Sequence, residues 1–380
     1  MDFNYNDAQK NYQRDVTSFA QGAKKELVDL VVQLDRTAEF NRQGWQLCAE
    51  FGIQGGPIPT QYGGKGLALM TYIAGLESLG MHCRDNGLLF SIGAHVLACE
   101  LPILSFGTEV QKQQWLPLLS SGEKIAAIAI AEAHGSSDAF NINTTATQSR
   151  GGYILNGKKS YITNSTLCDV ALVFARVSDT ANKVICLLVD RNTPGMHCEA
   201  VTDSSGLRTS PWGDIIFDDC WVDQSQQLGA SGELVFMSAM EWERGCILAP
   251  LVGAMQRQLN DCITRVRTRK QGEQALSDHQ AVSHRIVEMK MRADLARLQL
   301  YQFAFIKDTR RRANMEAVMT KWYLSESYLQ NSMDAMQLHG GFGYSTDAGI
   351  EREVRDALGL RIASGTSDIQ KNIIAKWLKL

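Results

Sequence analysis

The sequence is short of several features that would have placed it in a class at once. Only seven of its 380 residues are proline, and its nine cysteines stand singly with no C-x-x-C pair. That excludes the usual zinc frameworks and fits a reducing compartment better than a disulfide scaffold. Basic charge is not in excess: 38 Lys and Arg against 41 Asp and Glu leave a net charge of −3, the wrong balance for a nucleic-acid partner. No uninterrupted apolar run approaches the length that spans a bilayer. The opening residues, MDFNYNDAQKNYQRD, are polar and mixed in charge, unlike a signal or transit peptide. No G-x-G-x-x-G follows a strand-like run, so a Rossmann unit is not expected. The expectation is a soluble, cytoplasmic protein with neither a nucleic-acid nor a membrane partner.

What is present is an ordinary globular composition, 44% hydrophobic and 21% charged, long enough for two or three packed units. Three regimes follow one another. Residues 1–125 show mostly helical periodicity, interrupted by the turn-rich GGPIPTQYGGKG. Residues 126–230 turn to short β-type runs. There, YIL, Asn156-Gly157 and KKSYIT predict a hairpin with a type I′ turn, and VALVFA and VICLLV predict buried strands. Residues 231–380 return to helical patterns, with long segments near 233–268, 279–309 and 315–338. The predicted architecture is mainly α with a central β domain.

One carboxylate stands out. In FMSAMEWERGCILAPLVGAMQ the apolar residues Phe236, Met240, Ile247, Leu251 and Ala254 share one helical face. Glu243 falls on that stripe, while Glu241 points nearly opposite. A buried carboxylate is costly unless paired, so it either finds a cation or rises in pKa. In a cleft, the second outcome makes a general base for carbon acids. The plainer outcome is a structural ion pair with Arg244 or another base. Two further clusters are weaker by themselves. RKQGEQALSDHQ and the distant QLHGGFG offer an arginine and a glycine pair suited to phosphate oxygens, or else a solvated helix residue and a helix cap. AIAIAEAHGSSD, running into Ser160-Tyr161-Ile162-Thr163, offers hydroxyls beside an aromatic ring that suit a flat heteroaromatic ligand, or an ordinary sheet edge.

Read together and in order, QYGGKG, FGTEVQKQQWLP, AEAHGSSD, YILNGKKSYITN, ERGCILAPLVGAMQ, QLHGGFGYS and REVRDALGLRIASGTSDIQ resemble the acyl-CoA dehydrogenase family of flavoproteins over nearly the whole chain. The resemblance implies an N-terminal α-helical domain, a β-barrel-like middle domain and a C-terminal four-helix bundle. It also implies FAD at their junction and a homotetramer of dimers that complete each other's FAD sites. In that chemistry a carboxylate removes the α-proton of an acyl thioester while flavin N5 accepts hydride from the β-carbon. By motif, Arg269 and Gln280 would hold the pyrophosphate or adenosine end across the dimer, with Gln337, Gly340 and Gly341 lining the same region. Thr366 and Asp368 would contact FAD from the C-terminal turn, and Tyr161 and Thr163 would flank the isoalloxazine. Ser137 matches a position that touches flavin or pantetheine.

The departures from the family pattern are informative. Ala131 stands where a flavin-side Thr is usual, Ala133-His134 replaces Pro-Gly, and Gly272-Glu273 replaces the Phe-Gly after the FAD arginine. Most members carry their catalytic Glu where this chain has Ser364. A minority place it on the helix immediately before a conserved Arg, and here those residues are Glu243 and Arg244. The backbone N–H at Ser364 would still hold the thioester carbonyl. A relocated base suits a branched or cyclic acyl group. The resemblance runs most strongly to dehydrogenases and oxidases of aminoacyl groups, prolyl above all, tethered to acyl or peptidyl carrier proteins in natural-product pathways. The alternatives are a short- or branched-chain acyl-CoA dehydrogenase, a same-fold flavin oxidase of a non-thioester substrate, and an inactive homologue kept for binding. Electron-transfer flavoprotein or oxygen would take the electrons. Lys307 with Arg310, Arg311 and Arg312 forms a basic run that would either dock an acidic carrier or lie solvated.

Overall fold

A computed structural model describes residues 4–135, 141–178, 183–200, 203–309 and 311–380. The helical first third runs through α1 (Asp7–Gly22), α2 (Val31–Thr37), α3 (Arg42–Phe51), α4 (Leu69–His82), α5 (Asn86–His95), α6 (Leu101–Phe106) and α7 (Glu109–Ser120). Its boundaries are set by local chemistry. Asn6 and Thr108 cap α1 and α7 with reciprocal capping boxes to Gln9 and Gln111. The stretch Asn86–Phe106 is 21 residues long, with a hydropathy of 1.7, long and apolar enough to cross a membrane. Ser91, His95 and Glu100 interrupt it, so it is not the uninterrupted apolar run whose absence the sequence shows. Buried over 94% of its apolar window, it is the central helix of this layer, apolar all round because it is surrounded.

The middle of the chain forms β1 (Ala126–Ala129), β2 (Thr145–Ser149), β3 (Gly152–Thr163), β4 (Val170–Val177), β5 (Val184–Asp190), β6 (Met196–Ala200) and β7 (Trp212–Asp223). The sheet order is β1-β4-β2-β3-β7-β6, with β5 also paired to β4. β4 and β5, the VALVFA and VICLLV runs, are buried almost throughout, as expected. The hairpin at Asn156-Gly157 does not form. Those residues lie inside the single twelve-residue strand β3, at a bulge between Leu155 and Gly157. Gly157 has φ 144°, and a Cβ there would come within 2.7 Å of Thr144 Cα, so the glycine serves a bulge and a close approach rather than a turn. The true turn is Arg150-Gly151, joining β2 to β3.

The last third comprises α8 (Gly232–Cys246), α9 (Ala249–Thr268), α10 (Gln280–Asp308), α11 (Asn314–His339), α12 (Gly341–Tyr344), α13 (Ile350–Ile362) and α14 (Ser367–Trp377). The predicted run 233–268 is two helices, because Pro250 cannot continue α8 and instead opens α9. Helices α8 to α11 pack against one another, and α4 lies along α9.

Candidate active site

Helix α8 begins where the Ser231 hydroxyl accepts from the Leu234 N–H. Its C-terminal end is pressed onto α10: a Cβ at Gly245 would stand 2.1 Å from the Phe303 ring, so only glycine fits beside Arg244 there. This packing fixes Glu243, 7% exposed, on the inner face the apolar stripe predicts. Glu241, on the other side, is also tucked in. It takes Lys307 Nζ at 3.0 Å and the Ala313 N–H at 2.6 Å. Lys307 also lies 4.3 Å from the Trp242 ring centroid. It is therefore a packed side chain and not part of an exposed basic run. Arg310 lies outside the described residues.

Among the described residues Glu243 makes no ion pair. Its Oε1 accepts from Ser364 Oγ at 2.5 Å, and its Oε2 is buried with no hydrogen-bond partner among the described residues. Burial raises its pKa, an effect opposed by the Ser364 hydroxyl and by the charges of Arg244 and Lys321. Helix α13 ends at Ile362, after which Ser364 (φ 59°) and Gly365 (φ 92°) both take left-handed backbone. Thr366 then caps α14 by accepting from the Ile369 N–H. A serine with positive φ is strained and needs support. Three buried or half-buried donors supply it. Arg244 Nε reaches Ser364 O at 3.2 Å, Gln370 Nε2 reaches Ser364 O and Gly365 O at 3.1 and 2.9 Å, and Lys321 Nζ reaches Arg361 O and Gly365 O at 2.9 and 2.7 Å. The Ser364 N–H has no backbone acceptor among the described residues.

Tyr161 and Thr163 close β3. A second bulge, between Lys159 and Ile162, throws Tyr161 into left-handed backbone (φ 60°) and leaves its ring 54% exposed, 5.5 Å from the Trp212 ring. The strand beneath is rigid, because Lys159 is fully buried and donates to Glu132 Oε1 at 2.8 Å. Ala131 joins this corner through its carbonyl, which accepts from the Ser160 N–H at 2.8 Å. Ser137 lies outside the described residues.

Arg269, Gln280, Gln337, Gly340 and Gly341 gather elsewhere, at the far end of the bundle around the small core of Leu259, Cys262, Val266, Met289, Ala335 and Leu338. Lys321 and Gln337 lie 16 residues apart on α11, about 24 Å at 1.5 Å per residue. One chain therefore holds two separate groups of the expected cofactor residues. Arg269 is exposed with no ion-pair partner among the described residues, and nothing stands within 4 Å of where a Cβ would be at Gly340 or Gly341. Asp368 is also exposed, on the first turn of α14 with Lys371. A strained, exposed aromatic for a flat ring, an open glycine backbone and an unengaged arginine for phosphates together fit FAD.

Sequence reasoning misses Lys321, Gln370 and Trp212. Lys321 carries a readable signal, since it shares the stripe of Ala317, Leu324 and Tyr328 on α11 just as Glu243 shares that of α8. Gln370 and Trp212 carry none, because their roles depend on the turn and the bulge.

Three family models match in order: the acyl-CoA dehydrogenase N-terminal domain over residues 6–123, the middle domain over 127–220 and the C-terminal domain over 230–379. An L-prolyl-[peptidyl-carrier protein] dehydrogenase of Pseudomonas fluorescens is 38% identical, with all of both chains covered. A protein of the same name from Serratia sp. is 35% identical over all of this chain and 99% of its own. Among solved structures, the prolyl acyl carrier protein oxidase AnaB is 40% identical with a TM-score of 0.96, over 99% of this chain and 100% of that one. PigA with FAD and proline is 35% identical with a TM-score of 0.95, over the whole of both. The chain belongs to the acyl-CoA dehydrogenase family.

Proposed function

We propose that this protein is an FAD-dependent dehydrogenase of a prolyl group held as a thioester on a carrier protein, with Glu243 as the base. The observation that carries the reading is the Glu243 carboxyl: buried, in no ion pair among the described residues, with one oxygen on Ser364 and the other without a hydrogen-bond partner among them. A carboxyl so placed takes a proton from carbon, because the thioester carbonyl acidifies the α-carbon and burial raises the basicity of the carboxylate. The Ser364 N–H, which has no backbone acceptor among the described residues, would hold the thioester oxygen as charge develops on it. Arg244, beside the turn, offsets that charge. FAD, when bound, supplies the two-electron acceptor for the hydride that leaves the β-carbon.

Tyr161, Thr163 and Ala131 flank the ring system, and Thr366 and Asp368 approach from the turn. Arg269, Gln280, Gln337, Gly340 and Gly341 serve the cofactor of a second copy, a reading supported by their exposure and their distance along α11. Such pairing gives a dimer, and two dimers a homotetramer. The prolyl assignment rests on the names of the relatives, which match over the full length of this chain. The test is anaerobic mixing of the holoprotein with prolyl-carrier thioester, free proline and a panel of acyl-CoA thioesters. Bleaching of the oxidised flavin band by the prolyl thioester is expected. Bleaching by acyl-CoA alone makes the protein an ordinary acyl-CoA dehydrogenase, and silence with every thioester sinks the reading.

A further inference from the structure

Lys321 is the most deeply buried charge at this site, and the chemistry proposed above does not use it. It is 0% exposed in the middle of α11. Its ammonium meets two carbonyl oxygens, of Arg361 at 2.9 Å and Gly365 at 2.7 Å. Among the described residues no carboxylate pairs with it within 4.0 Å. Burying an ammonium without a counter-ion costs several kcal/mol. Consistent with that cost, burial and the neighbouring Arg244 push its pKa down to about 7. The charged groups around it are Glu243 and Arg244 from α8, Glu326 on its own helix and Arg361 from α13. Glu326 is already taken up by Arg361 Nε at 2.8 Å and Ser367 Oγ at 2.6 Å.

What this buried amine does is visible in which carbonyls it takes. They bracket Ser364, one from three residues before it and one from the residue after it. A left-handed serine costs about 1–3 kcal/mol and persists only where its surroundings over-determine it. Without the lysine, two carbonyls on either side of that serine lose a donor, and the turn is free to relax toward ordinary backbone. The hydroxyl of Ser364 would then leave Glu243.

We infer that Lys321 is a positioning residue for this site: by gripping the carbonyls of Arg361 and Gly365 it fixes the turn that delivers the Ser364 hydroxyl to the Glu243 carboxyl. The inference rests on Glu243 being the base. Its signature is therefore read in the coupling of Lys321→Met to Ser364→Ala at the ionisation of Glu243: the Lys321 charge by itself also lowers the Glu243 pKa, but that part of its effect survives when the Ser364 hydroxyl is gone.

The experiment compares holoprotein of wild type, Lys321→Met, Ser364→Ala and the double variant. It measures the rate of flavin reduction by prolyl-carrier thioester between pH 5.5 and 9, with flavin content and thermal midpoint as controls. Lys321→Met is expected to slow reduction about tenfold and to move the acid limb of the profile upward by roughly 0.5 to 1 in pH, because Glu243 loses the Ser364 hydrogen bond as well as a nearby positive charge. Ser364→Ala should move the limb the same way, and adding Lys321→Met to it should have less than half its single effect. A Lys321→Met limb within about 0.2 in pH of wild type, or full additivity with Ser364→Ala, overturns the inference. If Lys321→Met does not fold, Lys321→Gln is measured against the same two criteria. Glu243→Gln is run alongside. If it still reduces, the base assignment falls; if it is dead while Lys321→Met matches wild type, the base stands and only the role of Lys321 falls.

Discussion

Ser364 Oγ donates to Glu243 Oε1 at 2.5 Å, joining two residues 121 positions apart. The position at which the family resemblance implies a carboxylate here provides a hydroxyl to a carboxylate that arrives from α8. The serine cannot act as a base near neutral pH, yet its hydroxyl opposes the rise that burial imposes on Glu243.

The direct consequence concerns Glu243→Gln. The amide keeps the size of the side chain and can still accept from Ser364, so the variant should fold and retain FAD. Reduction by the thioester should fall by about 10²–10⁴-fold, the range for losing a general base. Stopped-flow flavin reduction checks it, and a near wild-type rate would show the base to lie elsewhere.

The raised pKa of Glu243 also links stability to pH. Its folded value lies above its unfolded one, so the contribution to stability is complete below the unfolded value and is lost as pH rises through the folded value. Glutamine cannot ionise. The thermal midpoint of Glu243→Gln should therefore match wild type at about pH 3.5, below the unfolded value, and exceed it at about pH 8. The gain is about 1.4 kcal/mol for every pH unit that separates the folded value from the unfolded one. Melting curves at the two pH values decide the point. A gap that is constant with pH would mean that Glu243 titrates normally.

Much of this site is legible in the sequence. Glu243 can be found because helical periodicity needs only local order, and the buried face of α8 is the one its stripe predicts. The same rule applied to α11 exposes Lys321 between Ala317 and Leu324. What periodicity cannot supply is the partner across a long loop, and so the Ser364 contact is invisible to it. Asn156-Gly157 misleads for a related reason. A glycine with positive φ suits a bulge as well as a turn, and only the approach of Thr144 decides between them. The separation of the expected cofactor residues into two groups likewise follows from the length of α11, which no motif records.

Tyr161 carries a cost that FAD would repay. Its left-handed backbone is strained in the chain alone, and Gly at that position adopts it freely. Tyr161→Gly should leave the apoprotein as stable as wild type or slightly more so. Its affinity for FAD should drop by about 3- to 10-fold, the equivalent of losing one aromatic contact of roughly 0.5–1.5 kcal/mol. Apoprotein melting and flavin titration read the two effects separately. Unchanged FAD affinity would remove Tyr161 from the flavin site.

Arg269 makes the opposite test, because it is exposed and has no ion-pair partner in its own chain among the described residues. Arg269→Ala should change the stability of the apoprotein by less than about 0.5 kcal/mol, as for any surface residue without local contacts. If it grips the phosphates of FAD bound by a second copy, however, the variant should be purified with less flavin, and added FAD should stabilise it less. The decisive version mixes subunits: Arg269→Ala with a Tyr161→Gly chain. In a shared site, half of the cofactor positions in such a hybrid dimer carry both lesions and half carry neither, so flavin binding should return to about half of wild type. In a site built within one chain every position carries one lesion, and no wild-type-affinity fraction appears. Flavin titration of the isolated hybrid distinguishes the two arrangements.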